Sequence, residues 1–356
     1  MQIIFNKISF LTCFSHIPLL RGARLFILHG KRSYESSGAE KMLASLYDYH
    51  YNILEWSDFT SNPKREEVNV GVNIKNSFNP DLVIAIGGGS VIDMAKLVRF
   101  YSCDETTPLL AIPTTSGTGA ESTKFAVCYE NGVKTSVCDE SILPNYVFLD
   151  YNLTLHNSEY LTACTGFDAL AQSIEAYWNI NSSEESDTMA LKAISLLFQN
   201  LEDVSRYNEK NRRAELMEGA NLAGQAINIT RTTAPHAMSY TLTSKFGYPH
   251  GHAVALTFPY FFELNVNCDE NNYLGSDFVT YHKKMDTLKK VLGISKDANL
   301  FNFMNAYIHN IGLAYDANRP FDEEIVAKGI NLERAKNNPH ILTEKIINNV
   351  VKSIKL

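Results

Sequence analysis

The segment LVIAIGGGSVIDMAKLV (residues 82–98) decides the fold of this chain. Its unbroken apolar run is typical of a buried strand, and the apolar spacing after the glycines is typical of a helix. Glycines at such a turn let backbone amides approach a ligand closely, and the start of the helix favours an anion. The cofactor-binding residues that we predict here are Gly87, Gly88, Gly89, Ser90 and Asp93. A tight turn without a ligand is the alternative, since the segment does not match G-x-G-x-x-G.

Short apolar strands alternate with helical segments around this turn. Strand patterns occupy residues 2–5, 24–30, 51–56 and 108–115, and helical patterns occupy residues 37–49 and 62–78. This alternation predicts a parallel sheet covered by helices. We therefore expect an α/β domain over residues 1–153.

A second polar loop follows the strand that we predict over residues 108–115. The segment IPTTSGTGAES (112–122) is rich in hydroxyl groups that can donate to a phosphate or a ribose. One such loop is ordinary turn chemistry, but two loops at successive strand ends indicate a dinucleotide lying across the sheet. The candidate cofactor ligands in this loop are Thr114, Thr115, Ser116 and Thr118.

The charges after the strand at 24–30 bear on which nicotinamide cofactor binds. NADH is often held by an acidic residue at such a strand end, whereas LHGKRSYESSG (28–38) offers Lys31, Arg32 and hydroxyl groups. Basic groups suit a 2′-phosphate, so we expect NADPH rather than NADH, with solvated surface charges as the alternative. Lys134 is a further candidate for the cofactor phosphates or ribose, although a surface lysine is an equal alternative.

From residue 154 onwards the sequence pattern changes to that of consecutive helices. Apolar period and length predict helices over residues 162–178, 186–201, 212–228 and 252–266, and further helices follow. We expect an all-α domain over residues 154–356. A cleft between this domain and the α/β domain is the expected place for a cofactor.

Three histidines lie in the segment TTAPHAMSYTLTSKFGYPHGHA (232–253), which carries few other charges. His236 and His250 are too far apart for one helical face, but they could close a loop onto one metal ion. His252 lies two positions further on, where a neighbouring or surface histidine is the better interpretation. Zinc or ferrous iron would need at least one further ligand.

The segment TGFDALAQSIEAYW (165–178) supplies candidates for that ligand. Asp168 lies early in an otherwise small and apolar helix, and Gln172, four residues on, shares its face. Glu175 also lies near that face. Without the histidines, an acidic residue at such a position would be interpreted as a cap or a partner of the helix dipole.

Composition excludes several classes of protein. The 356 residues carry a formal net charge of −7, which argues against a general nucleic-acid binder with a basic face. We expect neither a membrane span nor a signal peptide, because polar residues interrupt every long apolar run. The six cysteines form no C-x-x-C pair, which is typical of a reduced, cytoplasmic protein.

Taken together, these segments resemble the iron-containing (group III) alcohol dehydrogenases, part of the dehydroquinate-synthase-like fold. The resemblance rests on GGGSVIDMAK, PTTSGTGAE, GFDAL and two histidines 14 residues apart, in order along nearly the whole chain. It implies an α/β domain that binds NAD(P), a helical domain that holds a divalent metal such as Fe(II) or Zn(II), and a homodimer. The metal ligands that it implies are Asp168, Gln172, His236 and His250.

Gln172 departs from the pattern of the family, which typically has a third histidine at this position. A glutamine carbonyl oxygen can ligate a metal, but it is a weaker donor than imidazole for zinc or ferrous iron. Three outcomes are therefore open: looser binding, an ion that prefers oxygen ligands, or no metal.

One subgroup is more similar, the phosphonoacetaldehyde reductases, which reduce phosphonoacetaldehyde to 2-hydroxyethylphosphonate. The similarity lies in DALAQSIEAYWNINSSEES (168–186), INITRTTAPHAMSY (227–240) and SKFGYPHGHAVALT (244–257). Cations near the first histidine suit a small anionic aldehyde, because arginine forms forked hydrogen bonds with phosphonate oxygens. The substrate-binding residues that we predict are Asn228, Arg231 and Lys245. A structural ion pair for the arginine and a solvated charge for the lysine are the alternatives.

The resemblance also implies the chemistry. Hydride would pass from the nicotinamide to the aldehyde carbon while the metal polarises the carbonyl oxygen. The alkoxide then needs a proton, for which Tyr240, His252 or the ribose hydroxyls are candidates. The predicted catalytic residues are His236, Tyr240 and His252. Three alternatives stay open: a reductase of sugars or short-chain alcohols, a lyase- or synthase-type member of the wider fold, and a binding protein without a metal.

Overall fold

The computed structural model describes residues 2–104, 106–130, 133–207 and 209–355. The chain divides into two compact units, one up to Asn157 and one from Ser158 onwards. The boundary predicted after residue 153 lies close to this division.

A six-stranded, wholly parallel sheet forms the centre of the first unit. The strands of the unit are β1 (Ile3–Asn6), β2 (Arg24–His29), β3 (Asn52–Trp56), β4 (Leu82–Gly87), β5 (Leu109–Pro113), β6 (Phe125–Glu130), β7 (Val133–Cys138) and β8 (Tyr146–Leu149). Its helices are α1 (Phe10–Ser15), α2 (Ser33–Ser36), α3 (Ala39–Tyr47), α4 (Arg65–Phe78) and α5 (Gly89–Tyr101). The sheet order is β1-β8-β5-β4-β2-β3, and β6 and β7 form a separate antiparallel hairpin.

The central strands are apolar throughout because helices cover both faces of the sheet. Every residue of β4 and β5 is buried. Alternate residues of β4 enter two different cores: Val83 packs in the core that includes Val68 of α4, whereas Ile84 packs in the core that includes Leu43 of α3. A continuous apolar run is what a parallel strand between two helical layers requires. The α/β class predicted from sequence is thereby confirmed.

The strand order places the glycine turn at a position suited to ligand binding. β2 and β4 are neighbours in the sheet, and the chain proceeds from them towards opposite edges, first to β3 and later to β5. Such a switch in strand order leaves a crevice outside the carboxyl ends of the two strands, where open α/β sheets bind their ligands. The segments that follow β2 and β4 are Gly30–Arg32 and Gly88–Gly89, both predicted to bind the cofactor.

The sequence analysis did not predict the β6–β7 hairpin or β8. The hairpin has one partly exposed face, as the alternating burial of β6 shows, so its residues lack the continuous apolar run of the central strands. β8 has only four residues, and it joins the sheet between β1 and β5. Both elements are too short or too mixed in composition for periodicity to identify.

The second unit is helical, as predicted. Its helices are α6 (Glu159–Trp178), α7 (Glu184–Tyr207), α8 (Arg213–Thr230), α9 (Ala234–Phe246), α10 (His250–Val266), α11 (Phe278–Val291), α12 (Leu300–Asn310), α13 (Glu323–Lys328), α14 (Leu332–Ala335) and α15 (Glu344–Ser353). Helix α6 packs against α7, α8 and α10, and its side chains are buried on all sides from Phe167 to Trp178. A helix that is apolar or small all round belongs in the core of its unit.

Glycines allow the neighbours of α6 to approach it closely. A Cβ atom on Gly166 of α6 would lie 2.3 Å from the Leu201 side chain of α7. A Cβ atom on Gly251 of α10 would lie 1.9 Å from the backbone carbonyl oxygen of Cys164. The first turn of α10 therefore lies directly on the backbone of α6, and this contact brings His250 beside Asp168.

Among the residues described, no helix combines the length and the apolar character needed to cross a lipid bilayer.

Candidate metal centre and cofactor loops

Three side chains of the helical unit present ligand atoms to one point. Asp168 Oδ1 lies 3.2 Å from His236 Nε2 and 3.7 Å from His250 Nε2, and one ligand atom from each residue lies within 4.8 Å of the others. Asp168 and His236 are buried, whereas the His250 side chain is 34% exposed, so the cluster is open on the His250 side. We call Asp168, His236 and His250 the three-donor cluster.

The two histidines start two consecutive helices, which corrects the interpretation of the intervening segment as a loop. His236 lies in the first turn of α9, and α10 begins at His250. Gly247, with a φ of 70°, ends α9, and Pro249 precedes α10. The left-handed conformation is one that glycine adopts without strain, so the chain reverses here in a few residues.

Glu175 holds His236 in place, a role that the sequence analysis did not assign. Its carboxylate is fully buried and accepts hydrogen bonds from His236 Nδ1, the Thr233 backbone amide and the Thr233 hydroxyl. Histidines that ligate metals usually donate their other ring N–H to such a carboxylate, which fixes the tautomer and the ring orientation. The signal in the sequence was the spacing, since Glu175 follows Asp168 by seven residues and so lies two turns along the same face.

The geometry of the cluster fits a cation. Because Nδ1–H donates to Glu175, the Nε2 atom of a neutral His236 directs a lone pair at Asp168 Oδ1, 3.2 Å away. Burial alone would lower the pKa of His236, but the carboxylates of Glu175 and Asp168 outweigh it and raise the pKa to about 9. A proton between His236 Nε2 and Asp168 Oδ1 lets both atoms form a hydrogen bond, and a divalent metal ion bound to both would take its place.

The donor set also suits the metals that the sequence implies. Ligand atoms about 2.1 Å from a tetrahedral ion lie about 3.4 Å apart, close to the two separations seen here. Two imidazole nitrogens and one carboxylate oxygen are donors that zinc and ferrous iron accept. The residues present therefore fit a divalent transition metal with at least one open position.

Gln172 lies beside the cluster, one turn after Asp168 on α6. Its buried side chain donates from Nε2 to Asp168 Oδ2 at 3.3 Å. This hydrogen bond engages one carboxylate oxygen and leaves Oδ1 facing the histidines. The prediction that Gln172 ligates the metal stays a prediction, and its observed contact is with another predicted ligand.

Tyr240 lies next to the cluster, and His252 does not. The Tyr240 ring stacks against the His250 ring with 6.3 Å between centroids and 16° between planes. His252 donates from Nε2 to the Ala314 carbonyl oxygen at 3.0 Å, so its Nδ1 accepts from the Tyr160 hydroxyl at 2.8 Å. Burial lowers the pKa of His252, as expected for a neutral ring. Of the two predicted proton donors, Tyr240 is therefore the better placed.

The predicted substrate-binding residues lie on α8, at its end and on α9, and they do not gather at one point as the three-donor cluster does. Asn228 is half-buried on α8, and the exposed Arg231 caps that helix with a φ of 64°. Lys245 is exposed in the last turn of α9, nine residues after His236. Nine residues advance a helix by about 13 Å and by half a revolution, so Lys245 points away from the side of α9 that carries His236. The structure does not bring Lys245 to the cluster.

In the first unit, the two predicted cofactor loops are in contact. The Thr114 amide donates to the Gly87 carbonyl oxygen at 3.0 Å. A Cβ atom on Gly89 would lie 2.8 Å from Thr118 Oγ1, whereas a Cβ atom on Gly88 would meet nothing closer than Thr115 Oγ1 at 3.7 Å. Gly89 is thus required for packing between the loops, while a Cβ atom at Gly88 would make only ordinary van der Waals contact.

The polar side chains of these loops divide into two groups. Asp93 accepts from the Val127 amide at 3.0 Å, Ser90 accepts from the Asn62 amide at 3.2 Å, and Thr118 accepts from the Ala120 amide at 3.3 Å. Ser116 differs, because its buried hydroxyl has no hydrogen-bond partner in the part of the chain that the structure describes. Buried polar groups are normally satisfied, so this hydroxyl fits a bound cofactor better than an empty loop.

The basic residues predicted to meet the cofactor follow the carboxyl end of β2 or lie on the hairpin. Lys31 is exposed and pairs with Asp58 at 2.8 Å, and Arg32 is exposed at the start of α2. Lys134 is half-buried on β7, opposite Tyr129 of β6. A Cβ atom on the preceding Gly30 would lie 2.3 Å from Ser33 Oγ, so this position has no room for an acidic side chain unless Ser33 moves.

Comparison with known proteins places both units in one family. Residues 2–151 match the family described as "Iron-containing alcohol dehydrogenase", and residues 162–354 match "Fe-containing alcohol dehydrogenase family, C-terminal". The NADPH-dependent butanol dehydrogenase of Clostridium saccharobutylicum is 31% identical over 275 residues, which cover 71% of each chain. The 1-propanol dehydrogenase PduQ of Citrobacter freundii is 34% identical over 225 residues, covering 62% of this chain and 60% of PduQ.

Other relatives are much longer than this chain. The match to aldehyde-alcohol dehydrogenase 2 of Entamoeba histolytica is 29% identical and covers 68% of this chain but only 31% of that protein. The aldehyde-alcohol dehydrogenase of Streptococcus pneumoniae is covered over 27% of its length. This chain therefore corresponds to one part of those enzymes.

Solved structures agree with the family assignment. The iron-containing alcohol dehydrogenase of Thermotoga maritima superposes with a TM-score of 0.82 at 26% identity, covering 99% of this chain and 97% of that one. The sulfoacetaldehyde reductase of Bifidobacterium kashiwanohense, solved with NAD+, shares the fold with a TM-score of 0.85 at 24% identity, over 99% and 97% of the two chains. Matches over both units, the relatives and the shared fold lead to one conclusion: the chain belongs to the iron-containing alcohol dehydrogenase family.

Proposed function

We propose that this protein is an NAD(P)H-dependent reductase that converts a small anionic aldehyde to a primary alcohol, with phosphonoacetaldehyde as the favoured substrate. The observation that carries the proposal is the three-donor cluster, in which Glu175 orients His236 and the His250 side is open. Membership of a family of alcohol dehydrogenases, together with this cluster, supports a reaction in which a carbonyl group is reduced or an alcohol is oxidised.

Asp168, His236 and His250 would hold the divalent metal, Fe(II) or Zn(II). When bound, the metal supplies a Lewis acid for the substrate oxygen. The protein's own contribution is orientation: Glu175 fixes the His236 ring, and Gln172 directs Asp168 towards the histidines. Tyr240, whose ring stacks on the His250 ring, is the proton donor that we favour for the alcohol oxygen.

We propose NADPH as the preferred cofactor. The amides at the start of α5 and the Ser116 hydroxyl would bind the phosphates, and Gly88 leaves the space that they need. Gly30 supports NADPH because this position carries no acidic side chain that would hold a ribose 2′-hydroxyl. Lys31 and Arg32 lie next to it as donors for the 2′-phosphate. A kcat/KM for NADPH at least about tenfold above that for NADH would support this choice.

The test of the function compares aldehydes that differ in charge. Purified protein with measured metal content is assayed for NADPH oxidation with phosphonoacetaldehyde and with propanal. We expect kcat/KM for phosphonoacetaldehyde to exceed that for propanal by about 100-fold, because only the former offers oxygens for charge-assisted hydrogen bonds. Equal values would refute the phosphonate substrate, and the absence of net NADPH oxidation would refute the reductase.

A second candidate is a general short-chain alcohol dehydrogenase, which the printed names of the butanol and 1-propanol dehydrogenases favour. In that case propanal and butanal would be reduced as well as phosphonoacetaldehyde. We also propose a homodimer, which light scattering of the purified protein would test.

A further inference from the structure

Arg334 lies close to the three-donor cluster, although no motif points to it. It belongs to the short helix α14 and is half-buried. Its guanidinium carbon lies 5.7 Å from the centroid of the Tyr240 ring, and that ring in turn stacks on His250. Tyr240 therefore lies next to both the guanidinium of Arg334 and the His250 ring of the cluster.

The contacts of Arg334 leave most of its hydrogen-bonding capacity for a ligand. Its Nη1 donates to Thr232 Oγ1 at 3.0 Å, a neutral acceptor. Among the ion pairs of the described residues, none involves Arg334, and the adjacent Glu333 pairs instead with Lys336 at 2.7 Å. A guanidinium carries five N–H donors in a fixed fork that matches carboxylate, sulfonate or phosphonate oxygens.

The segment around Arg334 is fixed to the elements that carry the cluster. The Asn331 amide donates to the Ala237 carbonyl oxygen of α9 at 3.0 Å, and Asn331 Oδ1 accepts from the Arg334 amide at 3.1 Å. On the other side, Asn337 Nδ2 donates to the Thr232 carbonyl oxygen at 3.2 Å. Hydrogen bonds on both sides of Arg334 thus position its backbone against the start of α9, which also carries His236.

We propose that Arg334 binds the anionic group of the substrate and so selects a charged aldehyde over a neutral one. This inference rests on the proposed function and names the residue that gives the site its preference. A half-buried guanidinium beside an aromatic ring is less hydrated than the exposed Lys245 and Arg231, so its hydrogen bonds to an anion are stronger. An aldehyde whose oxygen lies at the cluster would extend its anionic end past Tyr240 towards Arg334.

The test compares Arg334→Gln with Lys336→Gln, a matched control two residues away. Both variants lose one positive charge at α14, but Lys336 is exposed and pairs with Glu333. We expect Arg334→Gln to lower kcat/KM for phosphonoacetaldehyde at least about 30-fold, mainly through KM, and to change that for propanal less than about threefold. Lys336→Gln should change neither.

Arg334→Lys separates charge from geometry. It keeps the cation but loses the fork, so we expect an intermediate KM for phosphonoacetaldehyde. Circular dichroism and the Tm of each variant establish that it is folded. If Arg334→Gln unfolds the protein, Arg334→Lys carries the test with the same two substrates.

Methylphosphonate provides a readout that does not depend on turnover of the charged aldehyde. We expect it to inhibit propanal reduction competitively in the wild type and at least about tenfold more weakly in Arg334→Gln. An equal loss with both aldehydes, or unchanged inhibition, would overturn the role of Arg334 while the proposed function stands. A wild-type enzyme that neither prefers phosphonoacetaldehyde nor binds methylphosphonate would overturn both.

Discussion

The three-donor cluster of the helical unit and the glycine turn of the sheet unit prepare for their ligands in opposite ways. The cluster uses charged side chains, two of which are held by a further residue: Glu175 for His236 and Gln172 for Asp168. The glycine turn uses backbone amides, and its glycines provide space instead of side-chain groups. Substitutions that change chemistry should therefore damage the first site, and substitutions that add atoms should damage the second.

The largest effect should follow from removing a donor of the cluster. We expect His236→Ala to abolish stoichiometric metal binding and to lower kcat/KM at least about 1000-fold, because the Lewis acid is lost. It also leaves the buried Glu175 without one of its partners, which costs about 1–3 kcal/mol of the free energy of unfolding. Metal analysis, steady-state rates and denaturation would measure these changes.

His282→Ala serves as the control for this variant, since His282 is exposed on α11, far along the chain from the cluster, and pairs with Asp286. It should leave metal content and activity unchanged. If His236→Ala retains both metal and activity, the metal is held elsewhere and the three-donor cluster is structural.

A smaller effect should follow from neutralising the carboxylate behind the cluster. Glu175→Gln keeps the shape of the side chain and one acceptor oxygen, but it removes the charge that orients and polarises His236. We expect the metal affinity or the activity to fall by about 10- to 100-fold. Competition with a chelator would measure the metal affinity, and an unchanged affinity would show that His236 is positioned by packing alone.

Gln172→His sharpens the comparison by adding a donor to the same site. Imidazole is a better ligand than an amide oxygen for zinc or ferrous iron, so we expect a metal Kd about tenfold lower. Weaker binding would mean that the hydrogen bond from Gln172 to Asp168 Oδ2 matters more than the donor type.

The smallest effect should come from Gly88→Ala in the glycine turn. The added methyl group meets nothing in the protein closer than 3.7 Å, so the Tm should change by less than about 2 °C. It projects into the space assigned to the cofactor phosphates, so the KM for NADPH should rise by about three- to tenfold.

Gly89→Ala is the matched counterpart of this variant. Its methyl group would lie 2.8 Å from Thr118 Oγ1, so it should lower the Tm by several degrees through overpacking between the two loops. If Gly88→Ala leaves the KM for NADPH unchanged, the cofactor phosphates do not lie over this turn.

The parallel sheet was predictable because buried parallel strands leave a simple pattern. The predicted apolar runs became β2, β4 and β5, and the ends of β2 and β5 lie within two residues of the predicted bounds. Helix α9 was not predicted, because Thr241, Thr243 and the alternation of hydroxyl and apolar residues weaken its helical period. Its start and end depend on tertiary contacts, among them the bonds from Thr233 to Glu175.

Spacing along the sequence could predict only the part of the candidate site that lies on one helix, α6. Asp168 and Gln172 were linked by the i,i+4 rule, and the i,i+3 spacing from Gln172 would have given Glu175 a role in the same way. The resemblance to a family, and not spacing, joined them to His236 and His250. Arg334 lies almost 100 residues beyond His236, and only the hydrogen bonds of α14 to the start of α9 bring the two together.

Gly251 links the geometry of the three-donor cluster to the packing of α10 against α6. Because Gly251 has no side chain, the first turn of α10 lies directly on the backbone of α6, and this contact holds His250 close to Asp168. A bound metal would also join α6 and α10, through Asp168 and His250. Metal release on heating should therefore coincide with the separation of these two helices, so that the loss of the ion reports when the core of the helical unit opens.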